Sequence, residues 1–389
     1  MLSNAKILNQ LPTQFFAQLV KQVNQKILEG NDVINLGQGN PDQPTPAGIV
    51  AAMQQAVANH ENHKYSQFRG NQSFKQAVAD FYWKQYGVKL DPEKEVAVMG
   101  GAKIGLVELP LALLDPGDTI LLPDPGYPDY LSGVALAKVQ QELVPLLPEN
   151  GYLPDYNSLE EEIVEKAKLL FLNYPNNPTG AQANTAFFDE TVAFAKENGI
   201  AVVHDFAYGA LGNETEPPVS FLQSQGAKDV GIELYTLSKT FNMAGWRIAF
   251  AVGNQVMIEA LNLIQDHLFV GIFPALQEAS VYALESFEQV DELVALYNQR
   301  RQIFVHAAAK IGWIAYPTNG AFYAWMPVAK GYDSVAFTEL LLEKASVAVA
   351  PGSGFGKGGE GFVRIGLLVD EARLIEAVRR ISELGLIFE

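Results

Sequence analysis

Residues 169–205, which read LLFLNYPNNPTGAQANTAFFDETVAFAKENGIAVVHD, decide the fold. The stretch begins with Leu169–Leu172 and ends with Ile200–His204, two short runs with apolar residues on both faces, as in strands of a covered parallel sheet. Between them, residues 186–198 follow the pattern of a helix. Strands that alternate with helices predict a doubly wound α/β layer. Ligands of such sheets bind just beyond the carboxyl ends of the strands, so polar residues at those ends are the first candidates for a functional site.

The same alternation continues on both sides of this stretch and changes after residue 255. The further predicted strands of the layer are Val96–Met99, Thr119–Leu122, Glu233–Leu237 and Ile248–Val252, and the further helices cover residues 104–114 and 158–168. Residues 255–310 are mostly helical, with an interruption near Gly271–Pro274. Beyond them, the strands Ala321–Met326 and Phe362–Leu368 mix with helices over 334–345 and 370–385, which indicates a smaller α+β unit.

We therefore predict an α/β protein in three parts. A large domain over residues 31–285 has a mostly parallel sheet between helices, and a small α+β domain covers residues 286–389. Residues 1–30 form an N-terminal segment with a helix over residues 13–29, where Phe16, Val20, Val23 and Ile27 recur at helical spacing.

The composition excludes several classes of function. The chain has 389 residues, of which 48% are apolar and 18% charged, so it can bury a large core. Its net charge of −17 argues against nucleic acid or an anionic membrane as a partner. The sequence has no cysteine, which excludes disulfides and thiolate metal sites, fits a reducing compartment and leads us to expect a cytoplasmic protein. The five histidines lack metal-ligand spacing, so we predict no metal site.

Two glycine-rich stretches do not match phosphate-binding fingerprints. Pro351–Gly359 has Pro351 and Gly358 where a Walker A loop needs Gly and Ser or Thr, so it is interpreted as a flexible loop. Gly37-x-Gly39 fails the dinucleotide fingerprint because Asp42 stands at the third glycine position.

Four segments at the ends of predicted strands are harder to dismiss, although each has a plain structural alternative. Asn173–Gly180 contains two X-Pro steps, Tyr174-Pro175 and Asn177-Pro178. Either they fix the backbone so that amides point at the sheet edge, or they only form a turn. Asp205 ends a buried strand, either as a helix cap or as a carboxylate for a cationic ring nitrogen. Lys239 lies between two apolar strands, where it snorkels or, if desolvated, becomes a nucleophilic amine able to form an imine.

The fourth segment, Gly100–Lys103, joins a strand to a helix and is either an ordinary turn or an anion site at a helix N-terminus. Hydroxyls at Thr236 and Ser238, with Arg247 nearby, would also suit a phosphate. An imine-forming lysine, an acid for a ring nitrogen, a tyrosine (Tyr208) for a phenolic oxygen and a phosphate site together describe one ligand, pyridoxal 5′-phosphate.

The order and spacing of these motifs resemble those of the class I/II aminotransferases, pyridoxal-phosphate enzymes of fold type I, over essentially the whole chain. The shared motifs are LGQGNPD (36–42), Tyr65, GGAK (100–103), DPGYPDY (124–130), NNPTG (176–180), DFAY (205–208), TLSK…R (236–247) and FVRIG (362–366). The N-terminal stretches QFFAQLVKQVNQK and DVINLGQGNPDQPTP are most similar to those of methionine-salvage aminotransferases.

The resemblance implies a role for each matching residue. Lys239 corresponds to the Schiff-base lysine, Asp205 to the partner of the pyridine nitrogen, and Tyr208 with Asn177 to the donors for the phenolic oxygen. Tyr127 would stack on the ring, where relatives often carry Trp. The residues implied to hold the phosphate are Ala102, Lys103, Thr236, Ser238, Arg247 and, from a second subunit, Tyr65. Those implied to bind the substrate α-carboxylate are Gly39, Asn177 and Arg364.

The resemblance also implies a homodimer whose small domain is formed by both termini, with residues 1–30 folded over the active site. The implied activity is ping-pong transfer of an amino group between an amino acid and a 2-oxo acid. A C–S β-lyase shares these motifs and stays an alternative, and a non-enzymatic regulator that binds the cofactor is a remote one.

The substrate side chain is predicted by weighing arginines against phenylalanines. A dicarboxylate, aspartate-type enzyme needs a second arginine, for which Arg69 is the candidate. The other unassigned arginines lie in helical stretches interpreted as solvated: Arg300, Arg301, Arg373, Arg379 and Arg380. Phe15 or Phe16 at the entrance would instead favour an apolar thioether side chain. We expect 2-oxo-4-methylthiobutanoate and methionine as substrates, with tolerance for aromatic and branched keto acids.

Overall fold

The computed structural model describes residues 3–13, 15–213, 215–269 and 271–388, with Phe15 described by its backbone alone. Its strands are β1 (Ile34–Asn35), β2 (Val96–Met99), β3 (Thr119–Asp124), β4 (Gln140–Pro145), β5 (Ala167–Leu172), β6 (Ala201–Asp205), β7 (Gly231–Thr236), β8 (Ala249–Gly253), β9 (Tyr323–Pro327), β10 (Val347–Ala348), β11 (Ala350–Pro351) and β12 (Phe362–Gly366).

Helices precede and follow most of these strands. They are α1 (Phe15–Leu28), α2 (Ala47–Ala58), α3 (Gln72–Tyr86), α4 (Ala102–Leu113), α5 (Tyr130–Ala137), α6 (Glu161–Lys166), α7 (Thr185–Asn198), α8 (Ala227–Val230), α9 (Leu237–Thr240), α10 (Gln255–Leu268), α11 (Pro274–Glu285), α12 (Val290–Ala309), α13 (Ser334–Leu340) and α14 (Glu371–Ser382). None of the described helices is long and apolar enough to cross a membrane.

A seven-stranded sheet with the order β2-β8-β7-β6-β5-β3-β4 forms the centre of the molecule. Strand β8 runs antiparallel to both of its neighbours, β2 and β7, and the remaining neighbouring strands pair in parallel. Successive residues of one strand enter two different cores: Leu170 packs on one face of the sheet, and Leu169 packs on the other. Both faces are therefore covered, which confirms the predicted mostly parallel sheet between helices.

Strand β4 is absent from the sequence-based prediction. It is an edge strand in which only Val144 is buried, so its sequence QQELVP lacks the apolar signal of the inner strands. The helix predicted over residues 158–168 is shorter, because Ala167 and Lys168 belong to β5. The predicted interruption near Gly271–Pro274 is present, and Pro274 is the first residue of α11.

The C-terminal part contains an antiparallel sheet of β11, β12 and β9. Its core also takes in residues from near the N-terminus, because β1 pairs in parallel with β10 at Ile34↔Val347. Helix α1 buries Leu19 and Val23 against Leu342 and Phe355. The contacts thus link residues 19–36 to the C-terminal part, whereas the predicted boundaries at 30 and 285 stay a prediction.

Two interpretations of the sequence are wrong. Arg300 and Arg301 are not solvated but buried in α12, where Arg300 forms a bidentate ion pair with Asp42 and Arg301 donates to backbone carbonyls. Pro351–Gly359, interpreted as a flexible loop, instead forms two 3-10 turns with buried residues, packed at the end of β3, where the backbone N–H of Gly358 donates to Asp124.

Candidate active site

A cavity of about 320 Å³ lies at the carboxyl ends of the central parallel strands. It collects residues that the sequence places far apart, from α1 to β12. The predicted site residues that line it are Gly39, Ala102, Lys103, Tyr127, Asn177, Asp205, Tyr208, Thr236, Ser238, Lys239, Arg247 and Arg364. Tyr65 is the one predicted site residue that does not line it.

Lys239 lies on α9, the short helix that begins where β7 ends. Thr236 caps this helix, since its hydroxyl accepts a hydrogen bond from the backbone N–H of Ser238. The Lys239 Nζ donates to the carbonyl oxygen of Gly39 over 2.6 Å. Burial, with the positive charges of Arg364 and Arg247, lowers the pKa of Lys239 to about 8. Roughly a tenth of this amine is therefore neutral and nucleophilic at pH 7, far more than for an ordinary lysine.

Asp205 is the last residue of β6, and its two carboxylate oxygens have different surroundings. Oδ2 accepts a hydrogen bond from the hydroxyl of Tyr130 at 3.0 Å. Oδ1 is buried without a hydrogen-bond partner among the described residues. Burial raises the pKa of Asp205 to about 6. A buried oxygen of this kind calls for a donor, and a protonated ring nitrogen in the cavity would supply one.

The opposite end of the cavity suits an anion. Helix α4 begins at Ala102, after Gly101 with a φ of +108°. A Cβ on Gly101 would lie 2.3 Å from Nη2 of Arg247, so the glycine lets the guanidinium approach the helix N-terminus. Lys103 also lies here and pairs with Asp129 at 2.8 Å. Together with the Thr236 and Ser238 hydroxyls, these groups can hold a phosphate.

Arg364 provides a second anion site and is only 1% exposed. Its Nη1 donates to the Asn177 side-chain oxygen at 2.7 Å, and its Nη2 donates to the carbonyl oxygen of Gly37 at 2.9 Å. Aromatic rings surround the guanidinium, with its Cζ 4.2 Å from the ring centre of Tyr323 and 5.1 Å from that of Phe16. Because the hydrogen-bond partners of Arg364 are neutral, its charge remains available for a carboxylate.

Several lining residues are absent from the sequence-based prediction. Tyr323, at the start of β9, places its hydroxyl 2.9 Å from that of Tyr208. The same hydroxyl would be 2.6 Å from a Cβ on Gly39, which explains the glycine there. Asn173 lines the cavity and begins the predicted segment Asn173–Gly180. Tyr130 does not line the cavity but donates to Asp205 and ends the motif DPGYPDY; the contacts of both residues depend on tertiary structure. For Tyr323, the sequence indicated a place in a predicted strand and nothing about a role in the site.

Two candidate residues, Tyr65 and Arg69, do not line the cavity. Tyr65 is 89% exposed. Arg69 does not line the cavity, because its guanidinium pairs with Glu259 at 2.7 Å and with Asp266 at 2.9 Å on α10. Phe16 does line the cavity, whereas the side chain of Phe15 lies outside the described residues.

The family model for class I and II aminotransferases matches residues 31–381, and this chain belongs to that family. The chain is similar to the L-glutamine–4-(methylsulfanyl)-2-oxobutanoate aminotransferase of Bacillus subtilis, with 61% identity over 381 residues that cover 98% of this chain and 96% of the relative. It is 42% identical to the LL-diaminopimelate aminotransferase of Halothermothrix orenii over the whole of both chains. The substrate-bound structure of BacF from Bacillus subtilis superposes with a TM-score of 0.96 at 46% identity, over 100% of this chain and 99% of that one.

The chain is therefore a pyridoxal 5′-phosphate-dependent enzyme that moves an amino group between an amino acid and a 2-oxo acid. The cavity fits this cofactor by its chemistry. The unpartnered oxygen of Asp205 suits a ring N–H, the groups around Gly101 suit a phosphate, and the amine of Lys239 suits an aldehyde.

Proposed function

We propose that this enzyme transaminates 2-oxo-4-methylthiobutanoate to methionine and tolerates other apolar keto acids. The observation that carries this proposal is the ring of Phe16, whose centre lies 5.1 Å from Cζ of Arg364 at the cavity wall. A substrate whose carboxylate binds Arg364 would place its side chain beside an aromatic surface, which favours an apolar, polarizable group. The 61% identity to a relative named for 4-(methylsulfanyl)-2-oxobutanoate supports the same substrate.

The position of Arg69 argues against a dicarboxylate substrate. A distal carboxylate needs a cation within reach of the cavity, and Arg69 is held by two carboxylates of α10 instead. Of the other arginines, Arg300 pairs with Asp42 in the protein interior. The arginines that line the cavity are Arg247, assigned to the cofactor phosphate, and Arg364, assigned to the α-carboxylate, so neither is left for a distal carboxylate.

In the proposed reaction the side chains bind, orient and move a proton. Arg364 and Asn177 bind the α-carboxylate, and Asp205 keeps the ring nitrogen of the cofactor protonated. The bound cofactor supplies an electron sink that makes the substrate Cα–H acidic. The amine of Lys239 would hold the cofactor, and it is placed to accept the substrate Cα proton as a general base and to return it as an acid. A pKa of about 8 suits an amine that must accept and return a proton near neutral pH.

Borohydride reduction tests the role of Lys239. The purified protein should be yellow, and reduction should fix the cofactor on the peptide that contains Lys239. Label on Lys103 instead would refute the assignment. Lys239→Ala should lose roughly 10²–10⁴-fold in kcat, as expected for a positioned acid–base group.

A keto-acid panel tests the substrate. We expect kcat/KM with 2-oxo-4-methylthiobutanoate to exceed that with 2-oxoglutarate. Phe16→Ala should lower kcat/KM for the thioether substrate about tenfold, and pyruvate, which has no long side chain, is the matched control. If 2-oxoglutarate with aspartate is the best pair, and Arg69→Ala abolishes that preference, the enzyme is an aspartate-type aminotransferase.

The proposed active unit is a homodimer in which Tyr65 contacts the cofactor phosphate of the other subunit. In a single chain Tyr65 is 89% exposed and Phe68 is 58% exposed, an unusual state for two neighbouring large aromatic side chains. The ion pairs of Arg69 with Glu259 and Asp266 anchor this segment to α10. An exposed aromatic surface with an anchored backbone suits an interface between two copies of the chain.

A further inference from the structure

Tyr323 contacts three predicted site residues at once. Its hydroxyl is 2.9 Å from the Tyr208 hydroxyl, and its ring centre is 4.2 Å from Cζ of Arg364. The hydroxyl also fills the space where a side chain on Gly39 would begin. The carbonyl oxygen of Gly39 in turn accepts the hydrogen bond from Lys239. Tyr323 therefore stands between the group that faces the cofactor oxygen and the group that faces the substrate carboxylate.

The backbone that carries Tyr323 is fixed from behind. The buried guanidinium of Arg301 donates to the carbonyl oxygens of Gly320 at 2.9 Å and of Ala321 at 2.7 Å, and also to that of Tyr323. Ala321 has a left-handed φ of +54°, which this set of hydrogen bonds helps to maintain. The side chain of Tyr323 is itself 1% exposed. Its ring and hydroxyl have little freedom to move when ligands enter.

We propose that Tyr323 is a positioning residue that acts on both halves of the site: its hydroxyl orients and polarises Tyr208, and its ring supports the guanidinium of Arg364. The inference rests on the roles proposed above for Tyr208 and Arg364. Of two hydroxyls at hydrogen-bond distance, one donates and the other accepts. When Tyr208 donates to an oxygen in the cavity, Tyr323 must donate to Tyr208, which strengthens the outgoing hydrogen bond.

The ring acts separately from the hydroxyl. A cation over the face of an aromatic ring is attracted by the electron density of the ring, and the contact restricts the guanidinium plane. Arg364 then presents its N–H groups in one orientation to an incoming carboxylate. Phenylalanine at position 323 keeps this contact and loses the hydroxyl, whereas leucine loses both. The two contributions can therefore be measured apart.

The hydroxyl is tested by the visible spectrum of the holoenzyme. The visible absorption depends on whether the nitrogen that joins Lys239 to the cofactor is protonated. The pH midpoint of this absorption change therefore reports how well the phenolic oxygen of the cofactor is stabilised as an anion. In Tyr323→Phe, Tyr208 becomes a weaker donor to that oxygen, and the midpoint should rise by about 0.5–1 pH unit. Tyr297→Phe is the matched control, because Tyr297 is buried in the same aromatic cluster but does not line the cavity.

The ring is tested by the binding of 4-(methylsulfanyl)butanoate, a carboxylate that has neither an amino nor a keto group and cannot react. Its Kd should stay within about twofold of wild type in Tyr323→Phe and rise about tenfold in Tyr323→Leu. Thermal melting identifies a Leu variant that does not fold, and Tyr323→Met then replaces it.

An unchanged midpoint in Tyr323→Phe would overturn the role of the hydroxyl, and an equal Kd in the Phe and Leu variants would overturn the role of the ring. Failure of the proposed function has a different signature. A wild-type protein without a visible band that titrates, or without affinity for the probe carboxylate, would refute the roles of Lys239 or Arg364 before any variant is compared.

Discussion

The buried carboxylate of Asp205 lowers the stability of the cofactor-free protein, although its burial suits its proposed function. It is buried, and burial raises its pKa from 3.8 to about 6. In the protein without cofactor, the folded state therefore binds more protons than the unfolded state between these two values. Stability falls as the pH rises through that window, and the full penalty remains above about pH 6.

This linkage predicts the behaviour of Asp205→Asn without cofactor. At pH 8 the variant should be more stable than wild type by roughly 1–3 kcal/mol, because it buries no charge, and the difference should vanish near pH 4. Urea unfolding at both pH values measures it. The exposed Asp189→Asn on α7 is the control and should change little at either pH.

With cofactor bound, we expect wild type rather than Asp205→Asn to be the more stable protein. Asp205→Asn cannot pair with a protonated ring nitrogen, so its cofactor Kd should rise at least tenfold. Two results would contradict the proposed role of Asp205. One is a cofactor-free Asp205→Asn variant that is no more stable than wild type at pH 8, and the other is a variant that binds the cofactor as tightly as wild type.

Residues of the site differ in how clearly the sequence indicates them. Asp205, Lys239 and Arg364 are charged residues within or directly after apolar runs, and such residues need a partner or a function. Tyr130 and Tyr323 are aromatic residues in a helix and a strand, where tyrosine is ordinary core material. Their importance arises from hydrogen bonds to Asp205 and Tyr208 that form only in the folded chain.

At the scale of elements, the turn before α4 controls the phosphate end of the cavity. Gly101 and Gly117 both have a positive φ, +108° and +97°, but only Gly101 has a guanidinium within reach of an added Cβ. Alanine at either position should lower the free energy of unfolding by about 1–2 kcal/mol through backbone strain. Only Gly101→Ala should also displace Arg247.

We therefore expect Gly101→Ala to raise the cofactor Kd at least tenfold and Gly117→Ala to leave it within about twofold. Fluorescence titration of the protein without cofactor gives both constants. Equal affinities in the two variants would show that the approach of Arg247 to the helix N-terminus does not matter for binding.

The elements themselves follow the sequence where burial is complete. Strand β2 was predicted at its observed bounds because all four residues are apolar and buried. The edge strand β4 was missed because its residues face solvent, and burial rather than propensity makes the other strands recognisable. The burial of Arg300 and Arg301 could not be predicted, since a charged residue in a helix is usually solvated and their partners are distant in sequence.

At the scale of the whole molecule, the homodimer proposal predicts complementation between subunits. Lys239→Ala should be inactive alone, and Tyr65→Phe alone should be impaired. Mixed dimers should regain one intact site, built from Lys239 and Arg364 of the Tyr65→Phe subunit and Tyr65 of the Lys239→Ala subunit. Activity after mixing and refolding measures this, and a fully active monomer in sedimentation would refute the dimer.

The pairing of β1 with β10 has a consequence for the order in which a ribosome-made chain becomes functional. All strands of the central sheet are complete once Gly253 has been synthesised, but Ile34 finds its partner only when Val347 emerges. Gly37 lies two residues after β1, and its hydrogen-bond partner Arg364 is made later still. A nascent chain can thus fold its scaffold early and must wait for its last part before it recognises a substrate. Ribosome-stalled chains that end at residue 340 should resist protease over residues 96–253 and remain cleavable near residue 35.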